Sequence, residues 1–259
     1  MNKKISLILF IFIYLTACIQ NNSFNCENGE TAIISRVIDG DTIETTTGQK
    51  IRLIGINTPE KKEACFEEAK EFLEEKVLGK TVLVQGNKTD RYQRTLANVC
   101  VEGNSVNKKL IKEGLAHYYS YEEIPELKKL QEKAMQENKN CLWKTGTEKY
   151  ILDKCIKLKK LEFNQESFTG EYTEFQNDCN YVIDLNGFYL KDEATNLYFF
   201  PETKLKEKSF VRVFSGNGKN EGNELFMGKG NVWNNDRDQL FLRNEKGILV
   251  VYFEYNNLN

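Results

Sequence analysis

The sequence predicts a β-rich α+β protein in two parts: an OB-type five-stranded barrel with three helices, followed by a β-sandwich. Three observations lead there. At about 150 residues per domain, 259 residues suit one large domain or two modest ones. Short β-branched runs fill the stretch from Glu30 to Cys100, with helical spacing after the third and after the fifth run. From Phe168 to Tyr255 helical periods cease, and short apolar runs alternate with Gly, Asn and Asp turns, as in a sandwich of roughly a hundred residues.

Thr31–Ile38 is apolar and β-branched, and Asp39-Gly40-Asp41 is a turn signal. Thr42–Thr47 and Lys50–Ile56 alternate, which completes a meander. Phe66, Ala69, Phe72, Leu73 and Val77 follow helical spacing up to Gly79, a C′ glycine. Thr81–Gln85 and Thr95–Val101 supply two more strands. Val106, Leu110 and Ile111 mark a second helix, closed by Gly114, and Ile124–Asn140 a third. Helices inserted after strands three and five fit an OB-type barrel over 30–145. A Lys-rich linker, helical or irregular, is expected over 146–166. The sandwich, over 167–256, has runs at Tyr181–Ile183, Phe188–Leu190, Leu197–Phe200, Phe210–Phe214, Gln239–Leu242 and Leu249–Phe253.

Composition narrows the function. With 40% hydrophobic and 12% aromatic residues the chain is not disordered, and three prolines exclude Pro-rich architectures. Lys+Arg 36 against Asp+Glu 38 leaves a net charge of -2, so a nucleic-acid footprint must be local. The single histidine, His117, disfavours multi-His zinc sites; placed at a helix end, it is expected to be exposed or to act as a C-terminal cation. Lys3 and Lys4 precede an apolar run, Ile5–Leu15, too short for a membrane span but suited to a signal peptide over 1–17. Leu15-Thr16-Ala17-Cys18 resembles the bacterial lipobox, which implies lipidation at Cys18, an exported envelope lipoprotein, and a polar tether over 18–29. Six of the seven cysteines then remain; in an exported chain they suggest disulfides, with fifteen connectivities open.

Three segments carry chemistry: Val37-Ile38-Asp39-Gly40-Asp41-Thr42, Ile51–Glu60 (IRLIGINTPE) and Thr89–Ala97 (TDRYQRTLA). Asp41, Asn57 and a loop carbonyl offer oxygen ligands of the kind hard cations prefer. Arg52 and Arg94 suit bidentate contact with phosphate. Glu60, just past Pro59, is placed to orient or deprotonate a water. Together these are the parts phosphodiester hydrolysis needs, and histidine is not among them.

The three segments, in this order, resemble the signature of the staphylococcal (thermonuclease-type) nuclease family over about 30–145. The resemblance implies calcium-dependent hydrolysis of DNA and RNA that leaves 3′-phosphates. It implies that Asp41, Asn57 and the Thr58 carbonyl hold calcium, and that Glu60 is the general base. Arg52 and Arg94 are the implied phosphate pair, with Tyr92 and one of Tyr119 or Tyr121 against the nucleotide. Lys88 and Arg91 are either a basic rim or a solvated loop. Asn57 replaces the family's Asp, so calcium binding is expected to weaken about tenfold. Gln93 replaces a Gly, at a cost of roughly 1 kcal/mol if φ is positive there. The loop after Pro59 is short. These departures keep open a degenerate, non-catalytic nucleic-acid- or partner-binding module. The resemblance also suggests the pairs Cys65–Cys141 and Cys26–Cys100, leaving Cys155 and Cys179. The C-terminal part, through Gly170–Phe175, Asp184–Asp192 and Val232–Asp238, resembles the lamin-tail domain, which implies an immunoglobulin-like sandwich of unknown partner. Asp236 and Asp238 lie at a turn there, solvated or cation-binding.

Overall fold

The computed structural model describes residues 24–144, 152–163 and 170–257. The signal segment and Cys18 lie outside the described residues. The barrel is built from β1 (Glu30–Val37), β2 (Thr42–Thr45), β3 (Lys50–Leu53), β5 (Thr81–Thr89) and β6 (Thr95–Val101), after a short β4 (Ile56–Asn57). Sheet order β3-β2-β1-β5-β6 closes through a parallel β3–β6 pairing. Alternation sends Ile34, Ile43, Ile51, Leu53, Ala97 and Val99 inward, all fully buried. Helix α1 (Phe66–Val77) adds Ala69, Leu73 and Val77, spaced by four, to that core.

Lys50–Ile56 is two strands rather than one. Gly55 turns the chain at φ +74°, and a Cβ there would stand 2.7 Å from both Ile124 and Leu127. Glycine is required at this position. Past it, β4 pairs with β8 (His117–Tyr118), which follows β7 (Asn104–Ser105) and α2 (Val106–Lys112). Ser105 caps α2 by accepting from Lys108 N. Helix α3 (Pro125–Gln136) opens on a proline, and α4 (Asn140–Trp143) ends the unit. Residues 24–29 dress the barrel rather than hang free: Phe24 is in its core and Cys26 is bonded to Cys100. The other bonds are Cys65–Cys141 and Cys155–Cys179.

The second unit packs two four-stranded sheets around Phe175, Leu190, Val213, Trp233, Leu240 and Leu242. One sheet contains β9 (Ile156–Glu162), β10 (Tyr172–Asn177), β15 (Phe210–Phe214) and β16 (Glu224–Phe226). The other contains β12 (Tyr189–Lys191), β13 (Leu197–Phe199), β17 (Arg237–Arg243) and β18 (Leu249–Asn256). A small pair, β11 (Ile183–Asp184) and β14 (Lys204–Leu205), completes the unit. A third of the expected linker is strand: β9 pairs with β10 as a sheet edge, and its lysines face water.

The units meet over a shared core of Cys65, Ala134, Leu142, Trp143, Phe241 and Leu249. His117 is buried there, 4.3 Å from the Phe241 ring and 5.2 Å from Trp143. The expectation of an exposed or cationic His117 is therefore overturned. Burial, with Arg243 and Lys191 nearby, holds its pKa well below the usual value, and the imidazole stays neutral. Gln131 donates to Gln239 at 2.9 Å, and Gln239 donates to the Tyr118 carbonyl at 3.0 Å. Arg243 donates to the Leu142 carbonyl at 2.8 Å. Gly247, in the β17–β18 turn, abuts Ala64; a Cβ there would lie 2.2 Å from Ala64 Cβ.

Candidate active site

Barrel register brings the predicted residues together. Asp41 directly precedes β2, Thr42 sits opposite Arg52 on β3, and Arg94 directly precedes β6, where Thr95 sits opposite Ile51. Asp41, Arg52 and Arg94 therefore open on one end of the barrel. They line a cleft of about 620 Å³ with Asp39, Asn57, Glu60, Asp90, Arg91, Tyr92, Tyr119 and Tyr121. Ala194 and Thr195 of the second unit also line it.

Asp41 is buried and fully engaged. Its Oδ1 lies 3.1 Å from Arg52 Nε and accepts from Thr42 Oγ1. Its Oδ2 accepts from the backbone N and the Oγ1 of Thr58, each at 2.9 Å. The Arg52 guanidinium also donates to the Leu53 carbonyl at 2.6 Å and to Asn57 Oδ1 at 2.8 Å. Arg94 is held by Asp90 at 2.7 Å and reaches Thr42 Oγ1 at 3.4 Å. Gln93 does adopt positive φ, +62°, in the turn where its N–H donates to the Asp90 carbonyl. Arg91 and Arg94 both lie over the Tyr92 ring, at 4.8 and 5.4 Å. Tyr119 is half-buried, Tyr121 is 69% exposed, and their rings stack at 6.1 Å. Lys88 is exposed on the neighbouring strand. Asp238, by contrast, is buried and accepts the backbone N–H groups of Glu193, Asn234 and Gln239, so it is a structural anchor rather than a solvated turn residue.

Sequence reasoning read Asp39 only as a turn former. It lines the cleft, and burial together with the negative charge of Asp41 pushes its pKa up to about 6. Glu60 is also raised, first by partial burial and then by Asp41. A carboxylate that raises its neighbours across a cleft marks a negative potential that a cation relieves. Among the described residues no three His, Cys, Asp or Glu side chains converge as a metal cage. The donors present are oxygens: one buried carboxylate, the Asn57 amide and a loop carbonyl. That set suits a hard cation bound through few charges.

Asn57 carries a contact that an Asp cannot make. Its Nδ2 donates to the Glu193 carbonyl at 3.1 Å and to the Ala194 carbonyl. The segment that carries these carbonyls is shaped by Asp192, which accepts from Asn196 N at 2.9 Å and from Asn196 Nδ2 at 2.7 Å. Burial raises the Asp192 carboxyl from the ordinary value of 3.8 to about 6. The folded protein thus binds more protons than the unfolded chain between these values, and stability falls as pH rises through that window. The full penalty above it is about 3 kcal/mol. Asp192→Asn removes the charge, so the melting temperature of wild type should drop more steeply than that of the variant between pH 4 and about 6.5. Parallel melting curves would refute this.

Residues 50–145 match the family described as Staphylococcal nuclease homologue, and residues 156–257 match the Lamin Tail Domain. An "Uncharacterized endonuclease" of Escherichia coli O157:H7 is 36% identical over 148 residues, which cover 55% of this chain and 90% of that protein. One from Haemophilus influenzae is 35% identical over 124 residues, 46% of this chain and 66% of its own length. The "Thermonuclease" of Staphylococcus hyicus is 35% identical over 128 residues, 43% and 76% respectively.

Proposed function

The chain belongs to the staphylococcal nuclease homologue family, as a thermonuclease-like hydrolase with a C-terminal lamin tail domain, and we propose that it is a calcium-dependent nuclease of DNA and RNA that leaves 3′-phosphates. One observation carries this reading: Asp41, Arg52, Asn57, Glu60 and Arg94 open on a single cleft flanked by Tyr92, Tyr119 and Tyr121. Arg52 and Arg94 donate to the phosphate oxygens as charge builds in the transition state. Glu60 orients the attacking water and takes its proton. The P–O5′ bond breaks with its electron pair going to the leaving oxygen, which takes a proton from solvent to become the 5′-hydroxyl. Tyr92, with Arg91 beside it, and the Tyr119–Tyr121 pair hold the adjoining nucleotide by stacking. Asp41, Asn57 and the Thr58 carbonyl would hold the calcium, which supplies charge neutralisation when bound. Export and lipid attachment at Cys18 belong to the same reading, supported by the lipobox-like segment.

The test is digestion of DNA and RNA by purified protein, with calcium or with EGTA. Calcium-dependent cleavage to fragments that need phosphatase before 3′ extension is expected. No cleavage at high protein and millimolar calcium would leave the non-catalytic binding module instead.

A further inference from the structure

Two interdomain contacts end on the catalytic elements themselves. The first starts at Lys191, whose side chain is 2% exposed. Its Nζ lies 2.6 Å from Glu63 Oε2, and the same oxygen accepts the Glu60 N–H at 2.7 Å. The second is the Asn57 amide, which joins the Glu193 and Ala194 carbonyls to Arg52. A third contact braces this segment against the nucleotide side. The Glu193 carboxylate accepts from Ser120 Oγ at 2.9 Å, and Ser120 lies between Tyr119 and Tyr121.

We propose that the C-terminal domain is a working part of the nuclease site, with Lys191 as a positioning residue that fixes the Glu60 backbone through Glu63. The inference rests on the nuclease reading above and extends it. Five residues, Lys61 to Cys65, join the Pro59–Glu60 turn to α1, and they leave one flank of the cleft to Ala194 and Thr195. A segment supplied by another domain must be locked in place to serve there, and the Asp192–Asn196 clamp with the Lys191–Glu63 pair does this. The Glu63 carboxylate is buried with its partner. Without Lys191 it is an uncompensated buried charge, which turns toward water or takes up a proton. Either event releases the Glu60 N–H. A displacement of the Glu60 turn by about 1 Å is enough to cost on the order of a hundredfold in rate.

The test uses the full chain and a small substrate, a nucleoside 5′-(p-nitrophenyl phosphate), so that polymer binding plays no part. Lys191→Met should lower kcat about thirtyfold to a hundredfold with KM within about threefold. Adding Glu63→Gln should restore at least about tenfold of that loss, because the Gln oxygen still accepts the Glu60 N–H without a buried charge. A folded Lys191→Met with kcat within about twofold of wild type overturns the proposal. So do equal losses in single and double variants that follow their melting temperatures. Should Lys191→Met fail to fold, Asn196→Ala, which removes the side-chain donor to Asp192 from outside the catalytic set, must show a fall in kcat at unchanged KM. Amide exchange at Glu60 gives a readout without catalysis: it should quicken in Lys191→Met and recover in the double variant. An inactive wild type would defeat the nuclease reading alone, and exchange would still decide the positioning claim.

Discussion

Arg52→Lys should lower kcat/KM by about a thousandfold, although the side chain keeps its charge. The guanidinium has three nitrogens, and each has its own acceptor: Asp41 through Nε, the Leu53 carbonyl through Nη1 and Asn57 through Nη2. A lysine ammonium is a single point on a flexible stem and cannot span three acceptors set by a strand, a loop and β4. The loss falls twice, on the donor to phosphate and on the frame that aims Asp41. Both act most strongly in the transition state, so kcat should bear more of the loss than KM. The check is steady-state kinetics beside a melting curve. A loss below about tenfold would remove Arg52 from the centre of the chemistry.

Asn57→Asp should loosen the two domains in the absence of calcium. By charge count alone the substitution restores a family carboxylate and tightens calcium binding. The geometry adds an opposing effect. Two carbonyl oxygens, of Glu193 and Ala194, would face a carboxylate that has no hydrogen to offer. Losing two buried hydrogen bonds and leaving acceptors opposed costs about 2–4 kcal/mol. In EGTA the melting temperature should fall by about 5–10 °C. Added calcium should then raise it by more in the variant than in wild type, because a tighter ligand stabilises more at a given concentration. Equal melting temperatures in EGTA would show that Asn57 is no latch.

The barrel and its site were legible because their signals are local. Asp41 and Arg94 directly precede strands and Arg52 lies within one, all with plain apolar alternation, and a closed barrel must bring β3 and β6 side by side. The Gly55 bend escaped notice because its cause is tertiary: α3 packs against the turn. His117 escaped for the same reason. Its neighbours Trp143 and Phe241 come from α4 and β17, far along the chain. Residues 156–162 (IKLKKLE) looked like a charged connector because an edge strand shows lysine to water, and the partner that makes it a strand is β10. Asn57 was the subtlest. Against the family it reads as a lost ligand, and only Glu193 and Ala194 reveal what its nitrogen does.

A nuclease is dangerous to the cell that makes it. Cys26–Cys100 and Cys65–Cys141 close loops across 74 and 76 residues. Loops of that length lose on the order of 4 kcal/mol of stability each when the crosslink is absent, a large part of what holds a small domain together. The second of them also pins the α1 and α4 ends where the other domain docks. Wherever thiols are kept reduced the chain therefore forgoes much of its stability, together with the docking surface its cleft depends on. The stability of the barrel and the docking of its neighbour are thus tied to the oxidised state of these four cysteines.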